Sequence, residues 1–154
     1  MQRNEMLPTY VFASVEPQTL GGATEHLKTL NDITWFAPVT GRFDFVVQLK
    51  ATEPHQIYEL VNKIRRIQGV VSTQTYRPFE GFTNGKKVEN NGPLGLVLLN
   101  VRGQEQLPKV LEALKQMPQI AEALVVSGEF DIIATLKGRD YRKSSNSCRR
   151  SQKS

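Results

Sequence analysis

"VTGRFDFVVQLK" (residues 39–50) and "VSGEFDIIATLK" (residues 126–137) carry the same pattern. Each has a small hydroxylated residue, Gly, any residue, Phe and Asp, then an apolar strand closed by Leu-Lys. Sliding the chain on itself by 87 residues aligns 20–50 with 107–137 and gives 11 identities in 31 positions. They include Leu20/Leu107, Leu27/Leu114, Ile33/Ile120, Gly41/Gly128, Phe43/Phe130 and Asp44/Asp131. Because the identities are spread over the whole window, the pattern indicates duplication of a module rather than a shared local motif.

The first copy reads as β-α-β-β-α-β. "YVFASV" (10–15) alternates as a strand, with Val11, Ala13 and Val15 on one side and Tyr10 and Phe12 on the other. Leu20, Ala23, Leu27 and Leu30 recur at helical spacing over 18–30, although Gly21 and Gly22 weaken that helix. Strands follow at 33–39 and 43–50. Pro54 then opens a helix whose stripe is Ile57, Leu60, Val61, Ile64 and Ile67, Gly69 ends it, and "VVSTQTY" is the last strand. This order closes as an α+β, ferredoxin-like sandwich: a four-stranded antiparallel sheet with both helices on one face. The other face is left apolar by Tyr10, Phe12 and Val46, so a second sheet is expected against it, face to face.

The second copy supplies strand 95–101, helix 104–117 and strands 120–126 and 130–137, and its final helix and strand are expected to be missing. The expected division is a first domain at 1–79, a linker at 80–93 rich in Asn, Gly and charge, an incomplete second repeat at 94–138, and a basic disordered tail at 139–154. The halves are expected to form an internal pseudo-dimer.

Charge is concentrated in one place. Six of the 20 basic residues and one of the 15 acidic residues lie in 139–154, leaving 1–138 balanced at 14 of each. The folded part is therefore not expected to bind nucleic acid by sequence. No apolar run approaches the roughly 20 residues of a membrane span, and the start lacks a signal-peptide core, so a cytoplasmic location is expected. Cys148 is the only cysteine, and no Cys/His cluster has metal-ligand spacing, so neither metal nor cofactor is expected.

"TGRFD" (40–44) and "IRRIQGVVSTQT" (64–75) resemble the ligand-binding and assembly domain of the Lrp/AsnC transcriptional regulators, also called the RAM domain. That family shows Thr-Gly-x-Tyr/Phe-Asp between its second and third strands and Ile-x-x-Ile-x-Gly-Val-x-x-Thr-x-Thr around its fourth. The resemblance covers 9–79 fully and 94–138 in part, where only Gly128, Phe130 and Asp131 match. It implies a stand-alone tandem form, since only about eight residues precede the first strand, leaving no room there for the helix-turn-helix of the regulators. It also implies an effector site at Gly41, Arg42, Phe43, Asp44 and Thr73, with Gly128, Phe130 and Asp131 in the second copy. The effector is an amino acid or similar small molecule, and the partner is a second copy or a related regulator. In the second copy Glu129 stands where Arg42 does, so two such sites are not equivalent.

The same residues admit a plainer reading, as hairpin turns whose Asp satisfies backbone donors. His26 and His55 read as exposed helix positions and "KIRR" (63–66) as a solvated face, while Trp35 and Phe36 read as interface fillers. No acid/base pair or activated nucleophile assembles, so the protein is read as a non-enzymatic effector-sensing and oligomerisation module. An ACT-like amino-acid-binding domain and a small dimeric α+β barrel enzyme remain as alternatives.

Overall fold

The computed structural model describes residues 7–50, 53–84, 93 and 95–137. The first half runs β1 (Thr9–Val15), α1 (Leu20–Leu27), β2 (Ile33–Pro38), β3 (Phe45–Leu49), α2 (Pro54–Arg65) and β4 (Val70–Tyr76). These strands form one antiparallel sheet in the order β2-β3-β1-β4, as the element order leads one to expect. Helix α2 begins with Pro54 in its first turn and buries Ile57, Leu60 and Ile64, because that stripe is the only continuous apolar one it has. Helix α1 is shorter than its apolar periodicity suggests. Gly21 and Gly22 occupy its first turn, where they contribute no side chain to packing.

Alternation along β1 divides two cores. Val11, Ala13 and Val15 join Phe45, Val47, Ile57, Leu60 and Ile64 beneath the helices. Tyr10 and Phe12 point the other way and join Trp35, Val46 and Tyr76 against Leu124, Val126 and Ile133 of the second half. The two halves therefore close face to face through this shared central core, which is the expected pseudo-dimer. Trp35 fills that interface, whereas Phe36, the next residue along β2, packs on the helix side. The period of 2 in a strand does not allow both to be interface fillers.

The second half comprises β6 (Gly95–Leu99), a 3-10 turn over Gln104–Gln106, α3 (Leu107–Lys115), β7 (Ile120–Val125) and β8 (Ile132–Leu136). A further strand, β5 (Glu80–Thr83), lies within the stretch read as the start of the linker. It leaves β4 of the first sheet and pairs with β7, so the second sheet has the order β5-β7-β8-β6. The Phe79 amide donates to the Val125 carbonyl at 2.8 Å, and the Asn84 amide to Ala121 at 2.7 Å, which extends the pairing at both ends of β5. The second sheet is thus four-stranded through a strand that follows directly from the first half. A counterpart of α2 and β4 in the second half is not found among the described residues. The tail at 139–154 and most of the linker lie outside them.

The repeat holds in three dimensions with one adjustment. Thr135 of β8 pairs with Leu96 as Gln48 of β3 pairs with Tyr10. Strand β6 therefore corresponds to β1 at a shift of 86 residues while the rest keeps 87, so the second copy has one more residue between this strand and its helix. No helix among the described residues is long and apolar enough to cross a membrane.

Candidate functional site

The two duplicated turns are built alike. Gly41 and Gly128 have φ of +110° and +140°, a region that side chains with a Cβ rarely enter. In the first turn the Val39 amide donates to the Asp44 carbonyl at 2.9 Å, and the Asp44 amide to the Ala13 carbonyl at 2.8 Å. In the second, Val126 donates to Asp131 at 2.9 Å and Asp131 to Leu99 at 2.8 Å. Each Asp side chain then accepts a strand-end amide: Oδ2 of Asp44 from Val15, and Oδ2 of Asp131 from Val101, both at 2.8 Å. Both aspartates thus tie a turn to the end of a neighbouring strand. In each, the other carboxylate oxygen has no hydrogen bond among the described residues.

Folding brings the two turns together. The Arg42 guanidinium forms an ion pair with Glu129, so the unlike residues between Gly and Phe of the two turns meet each other. Arg42 also lies over the Phe43 ring, 5.9 Å from its centroid. An aromatic path joins the turns underneath: Phe43 to Phe12 at 5.0 Å, Phe12 to Tyr76 edge-on at 5.6 Å, and Tyr76 to Phe130 at 6.1 Å between centroids. A Cβ on Gly128 would come within 3.0 Å of the Tyr76 ring, while one on Gly41 would meet open space. Burial, followed by the charge of Glu129, raises the Tyr76 hydroxyl above the usual tyrosine range. The Arg42–Glu129 pair is open to water, with side chains 59% and 36% exposed, so it contributes about 0–1 kcal/mol.

Thr73 is not part of this junction. It pairs with Ala13 in the β1–β4 register, so β1 separates it from Asp44. It lines an open cleft of about 390 Å³ with Arg65, Val70, Val71 and Ser72 at the outer edge of the first sheet. His26 and His55 are exposed. Among the described residues, no three His, Cys, Asp or Glu side chains gather as a metal site.

A buried polar group that sequence reasoning missed lies between the sheets. The Tyr10 hydroxyl donates to Oε1 of Glu122, and Nε2 of Gln48 donates to the Tyr10 oxygen at 2.9 Å and to Oε1 of Glu122 at 3.3 Å. Tyr10, Gln48 and Glu122 are each less than a tenth exposed. Burial raises the Glu122 carboxyl above the usual range, an effect that its two hydrogen bonds offset only in part. Burial first, and then the neighbouring Glu122, push the Tyr10 hydroxyl well up. Nearby in the same layer, Trp35 Nε1 is buried with no hydrogen-bond partner among the described residues, and Thr135 Oγ1 is buried beside the Tyr10 hydroxyl without a well-formed bond to any of them.

With this geometry in place, a family model described as the Lrp/AsnC ligand binding domain matches residues 9–85 and 95–150. No curated protein matches the chain in sequence. Among solved structures, the siroheme decarboxylase NirDL aligns over 93% of this chain and 65% of its own, with a TM-score of 0.59 and 9% identity, which shows a shared fold. TTHA0845 from Thermus thermophilus aligns over 51% of this chain and all of its own, with 20% identity and a TM-score of 0.48. AsnC of E. coli aligns over 48% of this chain with 20% identity and a TM-score of 0.43, and the chain spans 51% of it.

Proposed function

The chain belongs to the Lrp/AsnC ligand-binding domain family, and on that footing we propose that it is a non-enzymatic effector-sensing and assembly module whose effector is an amino acid. The observation that carries this reading is the junction of the two turns, where an exposed Arg42 has Glu129 as its ion-pair partner. A ligand carboxylate can replace Glu129 there, because a guanidinium holds a carboxylate through two parallel hydrogen bonds and the exchange sacrifices a weak surface pair. The α-ammonium of the same ligand suits the second oxygen of Asp44, whose first oxygen is occupied by the Val15 amide. Gly41, with open space around it, allows close approach, and Phe43 and Phe130 give the junction an apolar floor. Gly128 and Asp131 shape the second turn, where Glu129 repels a carboxylate. Thr73, one strand away, acts through the edge of the first sheet rather than on the same ligand atoms.

The module works through association, with a second copy or a related regulator, and the ligand shifts that equilibrium. Residues 1–138 are balanced in charge, which supports leaving DNA contact to another chain or to the basic residues of 139–154. Calorimetry over the common amino acids, with light scattering in parallel, tests the proposal. It expects saturable heat for one of them, at least about tenfold weaker binding in Arg42→Ala (about 1.4 kcal/mol), and a ligand-dependent change of mass. Heat unchanged by Arg42→Ala overturns the site, and no heat with any amino acid overturns the effector class.

A further inference from the structure

The central layer contains two unlike rows that cross the sheets at the same level. In the first sheet Trp35, Gln48 and Tyr10 stand side by side, through the pairs Trp35↔Gln48 and Gln48↔Tyr10. In the second, Glu122, Thr135 and Leu96 stand side by side, through Glu122↔Thr135 and Thr135↔Leu96. The repeat makes these positions equivalent: Trp35 with Glu122, Gln48 with Thr135, Tyr10 with Leu96. The rows meet head to tail, since Tyr10 at one end donates to Glu122 at the opposite end of the other row.

We infer that these rows select the partner of each sheet, so that a first-half sheet accepts a second-half sheet and rejects one of its own kind. Two first-half rows in the same arrangement would set each Tyr10 against a Trp35, an overpacked contact in a layer where all three side chains are already buried. Two second-half rows would set each Glu122 against a Leu96, burying two carboxylates without the Tyr10 and Gln48 donors. Only the mixed pairing supplies the carboxylate with its donors and matches the large side chains with small ones. The interface therefore fits one kind of partner, the second half of this chain, and disfavours symmetric self-pairing of either half. This does not depend on the identity of the effector.

Row exchange in the full-length chain tests it. One variant carries Tyr10→Leu, Trp35→Glu and Gln48→Thr, which makes both rows of the second type. Another carries Leu96→Tyr, Glu122→Trp and Thr135→Gln, which makes both of the first type. A third carries all six substitutions and so restores one row of each type in reversed places. Each three-substitution chain is expected to melt about 10 °C or more below wild type. Mixed after denaturation and refolded together, those two chains are expected to form a one-to-one complex by native mass spectrometry. The six-substitution chain is expected to regain the wild-type mass and most of the lost melting temperature. Three-substitution chains with wild-type mass and melting temperature overturn the inference. So does a six-substitution chain no more stable than they are, or a mixture with no one-to-one complex.

Discussion

Asp44 holds the amide of Val15, and Asp131 that of Val101, at the same 2.8 Å; around both, the same two backbone bonds close the turn. The residue between Gly and Phe differs, Arg42 in one half and Glu129 in the other, and those two pair with each other. The same division recurs deeper in, where Trp35, Gln48 and Tyr10 have become Glu122, Thr135 and Leu96 at equivalent places. The contacts that hold each turn locally are the same in both halves, and so are Phe43 and Phe130 in the central core, whereas at these positions what the halves present to each other differs. In a symmetric dimer a single interface residue is seen from both sides, so it must suit itself. Once the two copies share a chain, each side of the contact can change separately.

If the aspartates serve the same local purpose, Asp44→Ala and Asp131→Ala should destabilise by similar amounts. Each leaves a strand-end amide without its charged acceptor, a loss of about 1.5–3 kcal/mol by urea denaturation. A neutral Asp44→Ala beside a costly Asp131→Ala would break the equivalence and point to a ligand role for Asp44. The glycines should show a difference in degree. Gly41→Ala places a Cβ at positive φ in open space and should cost about 1 kcal/mol, whereas Gly128→Ala also drives a Cβ toward Tyr76 and should cost about 2–3 kcal/mol. Equal costs would mean that Tyr76 gives way.

Glu122, whose partners Tyr10 and Gln48 belong to the other half, makes the closure of the two halves depend on pH. Its carboxyl is held above the usual range in the folded state, so the folded protein binds its proton more readily than the unfolded chain does. The stability this contributes is fully present below the ordinary glutamate value and is lost as pH rises through the raised one. Wild type should therefore gain on Glu122→Gln as pH is lowered across that window in parallel urea titrations; a constant difference would contradict the assigned environment. The smallest effect belongs to the exposed pair. Arg42→Ala or Glu129→Ala should change stability by at most about 1 kcal/mol, and less at high salt.

Much of this was readable from the chain. The duplicated turn, the β-α-β-β-α-β order and the alternation of Val11 and Ala13 against Tyr10 and Phe12 are local patterns, and local patterns survive into the fold. Strand β5 was not readable, because "EGFT" is four residues long, contains Gly81 and precedes an Asn/Gly-rich stretch. Its strand character comes from the free edge of β7 rather than from its own propensity. Glu122 was hidden for a related reason. A Glu in an apolar strand reads as a solvent-facing position, yet all six residues of β7 are buried because both faces of the sheet are covered. The one available signal was its alignment with Trp35, a side chain already read as an interface filler. In the same way the plain reading of the turns accounts for one oxygen of each aspartate, and nothing in the sequence alone reveals that Arg42 and Glu129 meet.

A double-mutant cycle on Tyr10→Phe and Glu122→Leu, each of which removes one partner of the hydrogen bond, tests most directly the claim that the two halves close on each other through unlike partners. The two residues are 112 positions apart in sequence, and their hydroxyl and carboxylate form a buried hydrogen bond. Unfolding free energies of wild type, both single variants and the double variant should give a coupling of about 1–3 kcal/mol at neutral pH. Additive effects within about 0.5 kcal/mol would mean that the two side chains do not meet, and would contradict the face-to-face closure described here.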